Sequence, residues 1–181
     1  VQSYGGFIMA IYFPNSELHE CACESWRITS TFTGDNNVVG GNGLVNWELA
    51  DDVYGGGNLS SPLLSESNGV FTFNTYGWYL ITYQHYCYIG NAYSRWNEMI
   101  LQVSWNSGSN YDNHSYAVSN IPNSSSSASS AGCHASNLIL GNSVARIRFN
   151  ISVENNSVVT YGTTNEQMTG FTATLVASEN P

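Results

Sequence analysis

The chain has 181 residues, enough for one domain with its own core, and its 42% hydrophobic content is that of a globular chain. Charged residues are 9% of it, against about 25% in an average soluble domain. Lysine is absent and the formal charge is −9, so Arg27, Arg95, Arg146 and Arg148 cannot make the basic stripe that phosphate binding needs; this argues against nucleic acid and anionic membranes as partners.

Residues 7–13 (Phe-Ile-Met-Ala-Ile-Tyr-Phe) form the longest apolar run. It is too short to span a bilayer and reads as an opening strand, apolar on both faces. Residues 25–33 alternate, with Trp26, Ile28, Ser30 and Phe32 on one face. A glycine- and asparagine-rich turn at 34–43 precedes a strand at 44–49, and a second loop follows at 51–58. Residues 69–83 predict a central hairpin: Phe71, Phe73 and Thr75 share one face, Gly77 supplies the turn, and Tyr79, Ile81 and Tyr83 share the next face. The second of these strands can run on to Tyr88. Residues 97–105 alternate again, with Met99, Leu101, Val103 and Trp105 on one side. Residues 106–131 read mainly as exposed serine-rich loop, with an edge strand at 111–118. A late hairpin is expected from 138–140, a turn at Gly141-Asn142, and 144–153, where Ile147, Phe149 and Ile151 point one way. A closing strand spans 169–176. No segment has a sustained helical period. About ten short strands with frequent turn signals predict a single all-β domain over 1–181, an antiparallel sandwich or jelly roll.

Gly69-Val-Phe-Thr and Gly77-Trp-Tyr-Leu-Ile-Thr-Tyr83 resemble the central strands of the complement C1q/tumour-necrosis-factor-like domain. Blocks at 45–53, 99–103, 138–149 and 169–175 are similar to that family's other strands and occur in its order. The resemblance covers roughly residues 44–176. Tyr76, the serine-rich 106–131 segment and the CxC-bearing stretch 14–43 depart from the pattern. The resemblance implies a ten-strand jelly roll that trimerises around apolar and aromatic faces and binds ligands without being an enzyme.

Cys21, Cys23, Cys87 and Cys133 are even in number. With no lysine and five glycosylation sequons, at Asn58, Asn113, Asn123, Asn150 and Asn155, they suggest an oxidising compartment and two disulfides. A bridge within Cys21-x-Cys23 is strained, so each is expected to bond Cys87 or Cys133. The rival is a zinc site using His85 and His134 beside Cys87 and Cys133, although the spacing fits no common zinc knuckle. A Cys–His nucleophile lacks any sign of an orienting third group. Carboxylate pairs for glycoside hydrolysis could come from Glu48, Asp51, Asp52 or Glu98. Asp35, Asp51 and Asp52 are candidate calcium ligands, without the spacing of a calcium loop. Tyr93, Arg95 and Trp96 in one loop, and Tyr111 and Tyr116 in the serine-rich segment, are candidate glycan- or protein-binding residues.

The reading is an extracellular, non-enzymatic, homotrimeric recognition head, secreted or displayed on a cell, virion or spore surface. The alternative is a self-assembling subunit of an extracellular filament, tube or fibre, with strand 7–13 donated to a neighbour. A jelly-roll hydrolase is the third possibility.

Overall fold

A computed structural model describes residues 22–35, 43–50, 62–90, 92–122 and 128–178. The opening strand at 7–13, Cys21, Asp51, Asp52, Asn58 and Asn123 lie outside the described residues. Those described form twelve strands and no helix: β1 (Cys23–Ile28), β2 (Phe32–Thr33), β3 (Trp47–Leu49), β4 (Leu64–Ser67), β5 (Val70–Phe73), β6 (Gly77–Gly90), β7 (Ser94–Ser104), β8 (Asp112–Ile121), β9 (Ala128–Gly141), β10 (Arg146–Val153), β11 (Val159–Thr160) and β12 (Gly170–Ser178). They build the expected all-β antiparallel jelly roll. Its five-stranded sheet has the order β4-β5-β10-β7-β8, and its seven-stranded sheet is organised around β6. β9 pairs with β6 along its whole length, from Gly77–Gly141 to Gly90–Ala128. On the other side of β6, β12 takes the first half and β11 pairs with Cys87 and Tyr88; β1 and then β3 continue beyond β12.

The alternation of residues 69–83 places side chains as expected, with Phe71, Phe73, Tyr79, Ile81 and Tyr83 all buried. The hairpin itself does not exist. β5 hydrogen-bonds to β4 and β10, β6 to β9, β11 and β12, so the connection between them crosses from one sheet to the other. Phe73 and Tyr79 meet across the core, ring centroids 4.8 Å apart. Gly77 is needed for close approach rather than for turn angles: a Cβ there would lie 2.3 Å from the Ala177 carbonyl oxygen of β12. The actual turn is one step earlier. Asn68 and Gly69 have φ of 52° and 81° and join β4 to β5, the Asn-Gly signature of a two-residue hairpin with positive φ at both positions.

The late hairpin fails in the same way. β9 belongs to the seven-stranded sheet and β10 to the five-stranded one, while Ile147, Phe149 and Ile151 are buried as expected. Residues 106–131 are mostly strand rather than loop, because β8 and the start of β9 occupy them. The edge-strand expectation holds: β8 is the last strand of its sheet. Trp105 leaves the face of Met99, Leu101 and Val103 because β7 ends at Ser104, and it is 47% exposed.

The core is held by rings from both sheets. Phe71 of β5 and Phe149 of β10 meet Phe171 of β12 at 4.8 and 4.7 Å, and Trp47 of β3 touches all three at 5.4–5.6 Å. A buried carboxylate ties the sheets at one corner. Glu24 of β1 accepts hydrogen bonds from the backbone N–H of Leu63 (2.8 Å) and Leu64 (2.9 Å) and from the Trp26 indole (2.9 Å). Replacing Glu24 by Ala strands two buried amide donors and is expected to cost about 3 kcal/mol in urea unfolding. Phe71→Ala is expected to cost about 4 kcal/mol, through lost contact and the cavity left behind.

Candidate functional site

Two solvent faces and two loop regions could meet a partner. On the seven-stranded sheet, side chains of even-numbered β6 residues point outward. Trp78, Leu80, Thr82, Gln84, Tyr86 and Tyr88 stand beside Leu140, Leu138, Ser136, His134, Gly132 and Ser130 of β9. Thr172 and Thr174 of β12 flank Thr82 and Leu80. Apart from the histidine, no ionisable side chain lies on these outward positions of β6, β9 and β12. Charge enters only at the β1–β3 edge, where Arg27 Nε donates to Glu48 Oε1 at 2.7 Å. Leu80, Leu138 and Val176 are between 37 and 48% exposed. Tyr86 packs edge-on against Tyr161, and a shallow cavity of about 300 Å³ opens between Gln84, Tyr86, His134 and Met168. Sequence reasoning passed over this face because attention to the buried partners Tyr79, Ile81 and Tyr83 left the alternate positions unread.

The solvent face of the five-stranded sheet is different. A hydrogen-bonded ladder crosses three strands: Arg148 Nε and Asn150 Nδ2 donate to Gln102 Oε1 (2.7 and 3.0 Å), Gln102 Nε2 donates to Asn113 Oδ1 (2.6 Å), and Asn113 Nδ2 donates to the Tyr116 hydroxyl (2.8 Å). The Arg148 guanidinium lies 4.0 Å from the centre of the Tyr111 ring. Trp105 meets His114 edge to face at the same end of the sheet.

The candidate ligand residues do not form one site. Tyr93, Arg95 and Trp96 sit at the start of β7, where Arg95 pairs with Glu154 and Asn155 Nδ2 donates to the Tyr93 carbonyl. Tyr111 lies past the other end of β7, roughly 30 Å away at 3.3 Å per residue, with Tyr116 on β8. The exposed Glu154 carboxyl is held below its usual range by hydrogen bonds from the Arg95 backbone and guanidinium.

The cysteine expectation needs correction. Cys23, Cys87 and Cys133 are free thiols. Cys23 pairs with Thr174, which faces Leu80; Cys87 is seven residues further along β6, roughly 23 Å away. Cys133 faces His85, five residues from Leu80, or roughly 16 Å. Both separations exceed the Cα spacing of about 4–7 Å that a bridge allows, so Cys23 cannot bond either in this fold. Cys87 and Cys133 lie diagonally on adjacent strands facing the core. Burial pushes the Cys87 thiol up to about 11, with the Cys133 sulfur adding to the rise, and burial also raises Cys133. These are the reverse of activated nucleophiles. The zinc grouping is also split, because His134 points to solvent while His85, Cys87 and Cys133 point inward.

The acidic candidates are scattered. Asp35 lies near Glu98, whose carboxyl is raised by burial and then by the Asp35 charge. Among the described residues no three His, Cys, Asp or Glu side chains are grouped to hold a metal ion. Glu48 and Glu98 belong to different sheets and face opposite sides of the sandwich, so they cannot flank one glycosidic bond. Of the described sequons, Asn113 is exposed and Asn155 is half-buried in the β10–β11 turn. Asn150 is 4% exposed with its Nδ2 donated to Gln102, which leaves no room for a glycan.

His85 is buried on the inner face. Its Nε2 lies 3.0 Å from the Thr160 hydroxyl, while Nδ1 has no partner. Burial lowers its pKa to about 4. The unfolded chain, at the ordinary value near 6.5, therefore binds the proton first. The contribution of neutral His85 is complete above about 6.5 and is lost as pH falls toward 4, amounting to about 3 kcal/mol. His85→Gln is expected to flatten that part of the stability profile in urea titrations between pH 7 and 4; an unchanged slope would refute the assignment.

With this geometry in place, comparison defines the class of fold. No family model matches the sequence, and no curated protein matches it. Solved structures do. Eiger TNF from S. frugiperda superposes with a TM-score of 0.62 at 10% identity, covering 89% of this chain and 96% of that one. Murine APRIL at pH 5.0 superposes with a TM-score of 0.58 at 8% identity, covering 87% and 100%. The chain is a C1q/TNF-like jelly roll, as the resemblance implied.

Proposed function

We propose that the chain is an extracellular, non-enzymatic recognition head. It assembles as a homotrimer through the solvent face of its seven-stranded sheet and offers the opposite sheet and the loops to a glycan or protein ligand. One observation carries the reading: β6 and β9 present Trp78, Leu80, Tyr86, Tyr88, Leu138 and Leu140 outward without a carboxylate or guanidinium among them. Depletion of charge with enrichment of aromatic residues marks the centre of a protein interface. The shared fold with Eiger TNF and APRIL gives the architecture on which such assembly would be built. No described helix is long and apolar enough to cross a membrane. The recognition reading is also supported by the burial of the thiols and the separation of Glu48 from Glu98, which leave neither nucleophile nor carboxylate pair assembled.

The test is size-exclusion chromatography with light scattering, run with and without a calcium chelator. A discrete mass three times that of the chain is expected. Leu80 and Leu138 face each other, so the double variant Leu80→Glu, Leu138→Glu sets two carboxylates into the proposed contact and should give monomers with unchanged circular dichroism. A monomeric parent chain would refute the trimer, and masses growing without limit would replace the head with a filament subunit.

A further inference from the structure

The four arginines divide into two kinds. Arg27 and Arg95 are each paired with a carboxylate, Glu48 and Glu154. Arg146 and Arg148 alternate along β10, so both stand on the solvent side of the five-stranded sheet. Contacts that hold them include uncharged groups. Arg146 Nη1 donates to the carbonyls of Ser143 (3.0 Å) and Ala145 (2.7 Å), and Arg148 is fixed by Gln102 and by the Tyr111 ring.

The register shows which other charges share that face. Arg146 lines up with Ser104 and Thr72, and through Thr72 with Ser65; Arg148 lines up with Gln102 and, through it, Asn113. Glu98 is the one acidic residue at an outward position of these five strands. It faces Ser152, four residues beyond Arg148 and roughly 13 Å away. Glu66 and Asp112 fall at positions of inward parity, aligned with Phe71 and Val103, and Glu66 caps the Gly69 amide. A chain of net charge −9 thus gathers two of its four guanidinium groups onto one end of one face. Around them stand Tyr111, Tyr116 and Trp105, the last two close to half exposed.

We propose that this patch binds an acidic sugar: a pyranose bearing a single carboxylate at the end of an otherwise neutral glycan. The guanidinium fork matches a carboxylate in two parallel hydrogen bonds, and oriented arginines lose little freedom in making them. The tyrosine and tryptophan rings offer an apolar surface with a polar rim, which suits the face of a sugar. A polyanion fits poorly, because its charges would extend beyond the roughly 8 Å screening distance into the field of the acidic remainder. The proposal deepens the recognition-head reading by naming a ligand class, and it rests on that reading.

The experiment is calorimetric titration of the full chain with sialyllactose, with lactose as the neutral counterpart and heparin as the polyanion. Sialyllactose is expected to bind and lactose not to. The double variant Arg146→Gln, Arg148→Gln should weaken binding tenfold or more, and Tyr111→Ala should weaken it severalfold. Circular dichroism and light scattering on the same samples report fold and assembly, which should not change because the self-association face lies on the other sheet. Equal binding of lactose, binding that survives the double variant, preference for heparin, or no binding of sialyllactose by a folded, trimeric chain would each overturn the acidic-sugar site. In the last case a persistent trimer leaves the recognition head standing; a monomeric parent chain removes the head itself.

Discussion

Four rings at the centre of the sandwich, those of Trp47, Phe71, Phe149 and Phe171, come from four strands that are distant in sequence and divided equally between the two sheets. Neighbouring rings approach mostly edge to face, which suits the aromatic quadrupole and adds about 0.5–1.5 kcal/mol per pair to simple burial. Because each ring is fixed by partners from the opposite sheet, the cluster sets the spacing and angle of the sheets together. Trp26 and Tyr83 extend it outward at 5.1 Å from Phe71 and 5.5 Å from Phe149. Everything a partner could meet is the reverse side of strands aligned by this contact.

The two reverse sides differ in chemistry, and that difference suggests a division of labour. The seven-stranded sheet is almost free of charge and shows leucines, threonines and tyrosines. The five-stranded sheet carries arginines, amides and exposed rings joined by a cross-strand ladder. In a chain with so few charges, their location is informative. Arg27 with Glu48 and Arg95 with Glu154 close local edges, while Arg146 and Arg148 are concentrated on one patch. One sheet suited to its own copies and the other to a foreign ligand follows from this asymmetry.

Much of the fold could be read from periodicity. Alternation told correctly which side of each strand is buried, as at Tyr79-Ile81-Tyr83 and Ile147-Phe149-Ile151. It could not tell which strands pair, because a period of two is the same whether the next strand is a neighbour in the sheet or its counterpart across the core. Hence both expected hairpins turned out to be crossings between sheets. Asn68-Gly69 did carry a turn signal, and Gly77 drew attention away from it. β9 was hard to see because small inward residues, Ala131, Cys133 and Ala135, give little hydrophobic contrast with Gly132, His134 and Ser136. The candidate ligand residues were grouped by exposure and aromatic character. β7 keeps Tyr93, Arg95 and Trp96 apart from Tyr111 and Tyr116, a separation that local sequence cannot reveal.

The central claim is that residues 70–73 and 77–83 lie in opposite sheets and meet only through their rings. Nuclear Overhauser contacts in an aromatic-labelled sample test it most directly. The account predicts ring-to-ring contacts between Phe73 and Tyr79 and between Phe71 and Phe171, with backbone contacts linking Phe71 to Ile147. Backbone contacts running in ladder fashion between 70–73 and 77–80 would contradict it.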